Sequence, residues 1–171
     1  MSRELDAVSL RSFIAEIRDK LSALRGIGRE AEAGIKGAGK KKGLTSLELM
    51  GLAHCLEGFY TGVEDIFLDV LTTINHATLA SETWHRDLLR RMTLDIPKVR
   101  PPVIDESLAR KLDEYRRFRH RARHMYSPLV PDWDRMKHLV YDLPEVLESL
   151  ISRMERFLAF LEKTADRLDE G

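Results

Sequence analysis

Five arginines fall within the eight positions from Arg116 to Arg123, with His120 among them and His124 directly after. Inside that run, Arg119, four residues, His124, one residue and Tyr126 spell Arg-x4-His-x-Tyr. These side chains suit work on a phosphate. A guanidinium stays charged and grips phosphate oxygens through parallel N–H donors. An imidazole accepts and returns a proton near neutral pH. A charge-rich run is also what a solvated helix face looks like, and the spacing of Arg, His and Tyr is what distinguishes this one. Arg119 and His124 are the candidate catalytic pair, with His120 and Arg123 in supporting positions. Tyr126 borders an apolar face and could equally be structural.

The geometry of the pair is awkward. On an ideal helix, residues five apart point about 140° apart, because a turn takes 3.6 residues. Arg119, Arg123 and Tyr126 form one stripe, and His120 with His124 another. Three resolutions are open: the helix loosens toward Pro128, the long arginine side chain reaches round, or the working pair comes from two chains.

Other signals are weaker. His120 and His124 have the spacing of a helical metal pair, but no third ligand is obvious, so no metal and no cofactor is expected. Gly34-x4-Gly39-Lys40 resembles a phosphate-binding loop, yet Lys41 stands where Ser or Thr must meet Mg²⁺, and Arg29–Ala33 is no hydrophobic strand. Glu64 and Asp65 are minor candidates to face a cleft and otherwise read as solvated helix charges. His54, His76 and His85 stand apart from one another and read as local polar or buried residues.

Apolar spacing predicts the elements that must position the motif. Leu5, Val8, Phe13, Ile14, Ile17, Leu21 and Leu24 suit one amphipathic helix. Residues 26–43 hold six glycines and Lys40-Lys41-Lys42, which predicts a mobile loop with at most a short helical piece near Arg29–Ala33. Thr45 with Glu48 forms a capping-box pattern that opens a broadly apolar helix through Ile74, suited to the centre of a bundle. A shorter helix starts at Ser81–Trp84 and ends before Pro97. Asp105 or Ser107 caps the helix that carries the motif, and Ser127-Pro128 and Pro131 end it. A last helical region begins near Trp133, with a fresh start or a kink around Pro144. No run alternates as a strand would. The expectation is all-α: one domain over residues 1–171, an antiparallel helical bundle of about five helices.

Composition narrows the function classes. The 171 residues carry 28 basic and 28 acidic side chains, so a general attraction to nucleic acid is excluded. The charge is unevenly spread: Arg100–Tyr126 holds eight Lys/Arg against four Asp/Glu, and Asp142–Gly171 reverses those counts. Phosphate binding would therefore be local. Cys55 alone cannot close a disulfide and reads as a buried structural thiol. No apolar run reaches the roughly 18 residues a membrane helix needs. With no signal peptide evident, a cytoplasmic location is expected.

The motif resembles that of the HEPN superfamily, and the tyrosine two residues after the histidine is similar to its HepT-like branch. Leu56-Glu57-Gly58-Phe59-Tyr60-Thr61-Gly62-Val63-Glu64, Trp84-His85-Arg86-Asp87-Leu88-Leu89, Phe118-Arg119-His120 through Tyr126, and Asp132-Trp133-Asp134 resemble the corresponding stretches of such proteins. The likeness runs from about Thr45 to the end, and the glycine-rich segment matches nothing. The resemblance implies a homodimer that brings Arg119 and His124 of two chains into one cleft. It implies a metal-independent endoribonuclease toxin acting on RNA, paired with a nucleotidyltransferase (MNT-type) antitoxin. It also implies that Tyr126 is where that partner attaches AMP, placing bulk and negative charge beside the phosphate-binding arginine. The alternative is a non-catalytic helical subunit that binds a nucleotidyltransferase and presents its substrate.

Overall fold

The computed structural model describes residues 6–38, 43–80, 82–124 and 131–170; the side chains of Ala38, Arg123 and His124 lie outside the description. Five helices follow in order: α1 (Ala7–Ala38), α2 (Ser46–Thr73), α3 (Trp84–Met92), α4 (Glu106–His124) and α5 (Trp133–Glu170). Among the described residues there is no strand, only an isolated bridge between Ile96 and Arg100. The all-α bundle expected from the spacing of apolar residues is what forms.

Local chemistry sets the helix starts. Thr45 and Glu48 form the predicted capping box, the Thr45 hydroxyl accepting from Glu48 N at 3.2 Å and Glu48 Oε2 accepting from Thr45 N at 2.8 Å. Asp105 caps α4, its Oδ1 accepting from Leu108 N at 2.8 Å. Asp132 does the same for α5 through Asp134 N at 3.0 Å. The turn after α3 is held by a residue that sequence patterning did not single out. Arg100 is only 2% exposed, and its guanidinium donates to Arg91 O, Leu94 O and Pro101 O, while its Nε donates to Asn75 Oδ1 at 2.8 Å. It thereby satisfies carbonyls that the end of α3 leaves open and ties them to the end of α2.

Two expectations need correction. Residues 26–38 are not a loop: α1 continues to Ala38 as one 32-residue helix. Four glycines in a helix cost about 1 kcal/mol each relative to alanine, but packing overrides propensity here. Ala31 is buried, and Ile27 and Ile35 pack on the core. Gly28 sits where an added Cβ would come within 2.6 Å of Leu147 Cδ2, and Gly34 where one would meet Leu52 Cδ2 at 3.2 Å. Glycine there permits close approach of α1 to α5 and α2. Gly34, the first residue of the loop-like phosphate motif, thus lies inside a helix, and Gly39 to Lys42 lie outside the described residues. The second correction is at Pro144, which starts no new helix, because α5 runs unbroken through it.

The long helices align in opposite directions. Arg18 pairs with Glu155 and Glu162 and Arg11 with Asp166 and Asp169, so α1 and α5 are antiparallel. Lys20 pairs with Asp65 and Asp69 while Gly34 abuts Leu52, which makes α1 and α2 antiparallel. Asp105–Arg153, Lys111–Glu145 and Glu114–His138 do the same for α4 and α5. The buried apolar residues of all five helices form one cluster. No helix of the described residues is long and apolar enough to cross a membrane.

Candidate active site

Helix α2 is buried on most of its circumference, and positions 60, 64, 67 and 71 share one core-facing stripe. Tyr60, Phe67 and Leu71 suit that stripe. Glu64 does not, unless a cation meets it, because an unpaired buried carboxylate is heavily penalised. Arg119 of α4 is that cation. It is 3% exposed and Glu64 7%. One guanidinium nitrogen, Arg119 Nη2, donates to both Glu64 Oε1 and Oε2 at 2.8 Å. The other, Nη1, donates to the hydroxyl of Thr61 at 3.3 Å. The guanidinium carbon lies 4.8 Å from the centre of the Tyr60 ring, a cation–π distance.

His85 of α3 completes the cluster. Its Nδ1 lies 2.5 Å from Glu64 Oε2 and 3.3 Å from Arg119 Nη2. Placing the proton on Nδ1 lets the ring donate to Glu64, the shorter contact, and makes the arginine approach one of proximity alone. The half-buried imidazole stacks on Trp84, with ring centroids 3.6 Å apart and planes at 28°. Burial, then the Glu64 charge, push the Tyr60 hydroxyl well above the ordinary phenol range. Three helices thus contribute to one buried group of ionisable and polar side chains.

Of the sequence-predicted residues, Arg119 is at the centre of this group. His120 is exposed on α4. Position 124 is the last residue of α4, and its side chain, like that of Arg123, lies outside the description; Tyr126 lies outside the described residues altogether. The helix keeps its form through position 124, so it does not loosen between Arg119 and His124. The structure therefore turns Arg119 toward α2 on one side of α4. Position 124 falls, by register, about 140° away.

Glu64 and His85 are the residues that sequence reasoning undervalued. The readable signal for Glu64 was its register, four residues after Tyr60 and three before Phe67 on a helix too apolar to have a solvated face there. Nothing comparable marks His85, whose role depends on how α3 docks. Asp65, by contrast, is exposed and pairs with Lys20 at 2.6 Å. Among the described residues, no three His, Cys, Asp or Glu side chains converge as a metal site would require.

A second feature lies on the other side of α4. A groove of about 690 Å³ runs between α3, α4 and the start of α5, and arginines of both α3 and α4 line it.

No curated protein and no solved structure matches the chain. A family model described as HepT-like protein matches residues 51–161, from the first turns of α2 to far along α5, and so includes Glu64, His85, Arg119 and position 124. That match covers well over half of the 171 residues, and the chain belongs to the HepT-like family of the HEPN superfamily.

Proposed function

We propose that the protein is a metal-independent endoribonuclease toxin of a HEPN/MNT toxin–antitoxin pair, with Arg119 and His124 as its catalytic residues. The observation that carries the reading is the buried Arg119–Glu64–His85 cluster at the Arg-x4-His position of a HepT-like chain. Taking two charges out of water costs several kcal/mol per ion, and apolar residues would hold a bundle as well. A buried charge group next to a motif of reactive side chains supports a functional role over a purely structural one.

In this reading the ribose 2′-OH attacks the adjacent phosphorus and the bond to the 5′ oxygen breaks, leaving a 2′,3′-cyclic phosphate and a 5′-OH. Neutral imidazole at His124 takes the 2′ proton, and the imidazolium so formed supplies a proton to the leaving 5′ oxygen. Arg119 stabilises charge on the phosphate oxygens. Its Nη1 edge serves this purpose, since its partner Thr61 is exposed and the 3.3 Å bond is long, while Glu64 and His85 hold the rest of the group. His120 and Arg123 support the phosphate. AMP on Tyr126, attached by the partner nucleotidyltransferase, silences the site. The protein acts as a dimer in the cytoplasm.

A second reading has its own support. Arg119 is nearly inaccessible and is paired with Glu64 within the chain, as a structural residue would be. That favours a non-catalytic subunit that binds the nucleotidyltransferase and presents its substrate. Incubating the purified protein with total RNA in EDTA, beside His124→Ala, separates the two. Cleavage by the wild type alone is expected. If neither protein cleaves, while both are folded and free of AMP by mass spectrometry, the subunit reading replaces the first.

A further inference from the structure

Glu64 holds Arg119 Nη2 and leaves RNA only the Nη1 edge, so a strand longer than the reacting phosphate needs further positive charge. The face of α4 opposite the buried cluster carries Arg110, Arg117 and Arg121, spaced seven and then four residues apart along one stripe. Across the groove, α3 presents Arg86 and Arg90, four residues apart. The acidic side chains at this wall do not cancel them. Asp113 already serves both Arg116 and Arg117, at 2.6 and 2.7 Å. Glu106 faces Arg110 at 3.8 Å, and Glu114 faces His138 at 3.3 Å. Arg86, Arg90 and Arg121 hold no side-chain ion pair or hydrogen bond among the described residues. Three guanidiniums without such partners thus stand on two walls of one groove.

Register joins this groove to the motif. The stripe that contains Arg117 and Arg121 reaches position 124 three residues further on, at the end of α4. From Arg110 to Arg121 the stripe spans about 16 Å at the helical rise of 1.5 Å per residue, the scale of a short single strand lying lengthwise. Leu89, Ala109 and Leu139 line the floor of the groove, and guanidinium planes stack on bases.

We propose that this α3–α4 groove binds the phosphate backbone of single-stranded RNA through Arg86, Arg90 and Arg121, and delivers the strand to the His124 end of α4. The proposal rests on the ribonuclease reading and adds where the substrate lies. It predicts that Arg86, Arg90 and Arg121 set affinity and leave the chemical step unchanged.

The test uses a fluorescein-labelled 2′-O-methyl RNA oligonucleotide, which lacks the attacking hydroxyl, and fluorescence anisotropy across a KCl series. Wild type is compared with the triple variant Arg86→Gln/Arg90→Gln/Arg121→Gln, and with Arg156→Gln on the exposed side of α5 as control. Removing one phosphate-binding guanidinium should flatten the slope of log K against log salt by about 0.7, so the triple variant should flatten it by about 2 and bind at least roughly tenfold more weakly at low salt. The control should match wild type. Unchanged affinity and slope in the triple variant overturn the proposal, as does failure of the wild type to bind. If the triple variant instead binds RNA normally but no longer associates with a nucleotidyltransferase, the groove is a protein interface and the proposal is also overturned. Cleavage of unmodified RNA is followed in parallel. Binding that falls in the triple variant while no protein cleaves supports the groove and removes the ribonuclease reading. Equal cleavage by wild type and triple variant at RNA concentrations well below saturation does the reverse.

Discussion

At Glu64 and Arg119 the chain gives up stability that an apolar pair could supply. Each of the two charges is nearly dry, and each tolerates burial only because the other is 2.8 Å away. Removing one partner strands the other. Glu64→Ala should therefore lower unfolding stability by about 3–5 kcal/mol, read by urea denaturation. The paired change Glu64→Gln/Arg119→Met should recover most of that loss, because neither residue then buries an uncompensated charge. A double variant no more stable than Glu64→Ala would mean that the cluster's hydrogen bonds, not its charge balance, hold the site. Cys55 makes a quieter case. It is half-buried on α2, and burial, then the nearby Glu30 charge, raise its thiol above the ordinary range. Less of it is thiolate at neutral pH, and the thiolate is the nucleophile. Alkylation by iodoacetamide should run slower than for a free thiol at pH 7 and accelerate steadily toward pH 10; a rate equal to that of a free thiol would contradict this.

Among the elements, the glycines divide by what faces them. Gly51 lies on the exposed side of α2 with nothing within 4 Å of an added Cβ. Gly62, on the same helix, would put that Cβ 2.6 Å from Leu24 Cδ2, and Leu24 is 2% exposed. Gly51→Ala should raise stability by about 1 kcal/mol from helix propensity alone. Gly62→Ala gains the same amount but must displace a core leucine at about 1–3 kcal/mol, so its midpoint should fall below wild type. Thermal unfolding of both variants checks the pair; stabilisation by Gly62→Ala would show that Leu24 yields freely. The same distinction explains what could be read in advance. The caps at Thr45 and Asp105, the helix through residues 46–73 and the apolar stripes are local, and they fold as their residues suggest. The glycines of α1 look like a loop because their reason is non-local: Leu147 and Leu52 come from other helices. Arg100 and His85 stayed hidden on the same ground, since neither the carbonyls of α3 nor the carboxylate of Glu64 is their neighbour in sequence. At Pro144 the fresh start is absent for a different reason. The neighbouring turns are held by Val140, Leu143, Val146 and Leu147 in the core, and that packing carries the helix past the hydrogen bond the proline cannot donate.

On the scale of the whole molecule, positions 119 and 124 fall at different registers around α4. Arg119 looks toward α2, and position 124 falls on the stripe of the arginine groove, with α4 regular between them. Register alone sets positions 119 and 124 about 140° apart on α4, so on the ribonuclease reading proposed above a site that uses both is completed across a dimer axis, with Arg119 from one protomer and His124 from its partner. Mixing two inactive variants tests this directly. One is His124→Ala. The other is Glu64→Gln/Arg119→Met, which removes the arginine without stranding the carboxylate. In a mixed dimer, a site built across the axis finds one intact arginine opposite one intact histidine, and the second site lacks both. Equal mixing makes about half the dimers mixed, so ribonuclease activity should return to roughly a quarter of the wild-type level in a symmetric two-site dimer. If each site used the arginine and histidine of one chain, no combination of these variants would hold an intact pair, and the mixture would stay as inactive as its parts. Recovery that appears only after unfolding and refolding the proteins together would place exchange, not chemistry, as the slow step, and would still require the shared cleft.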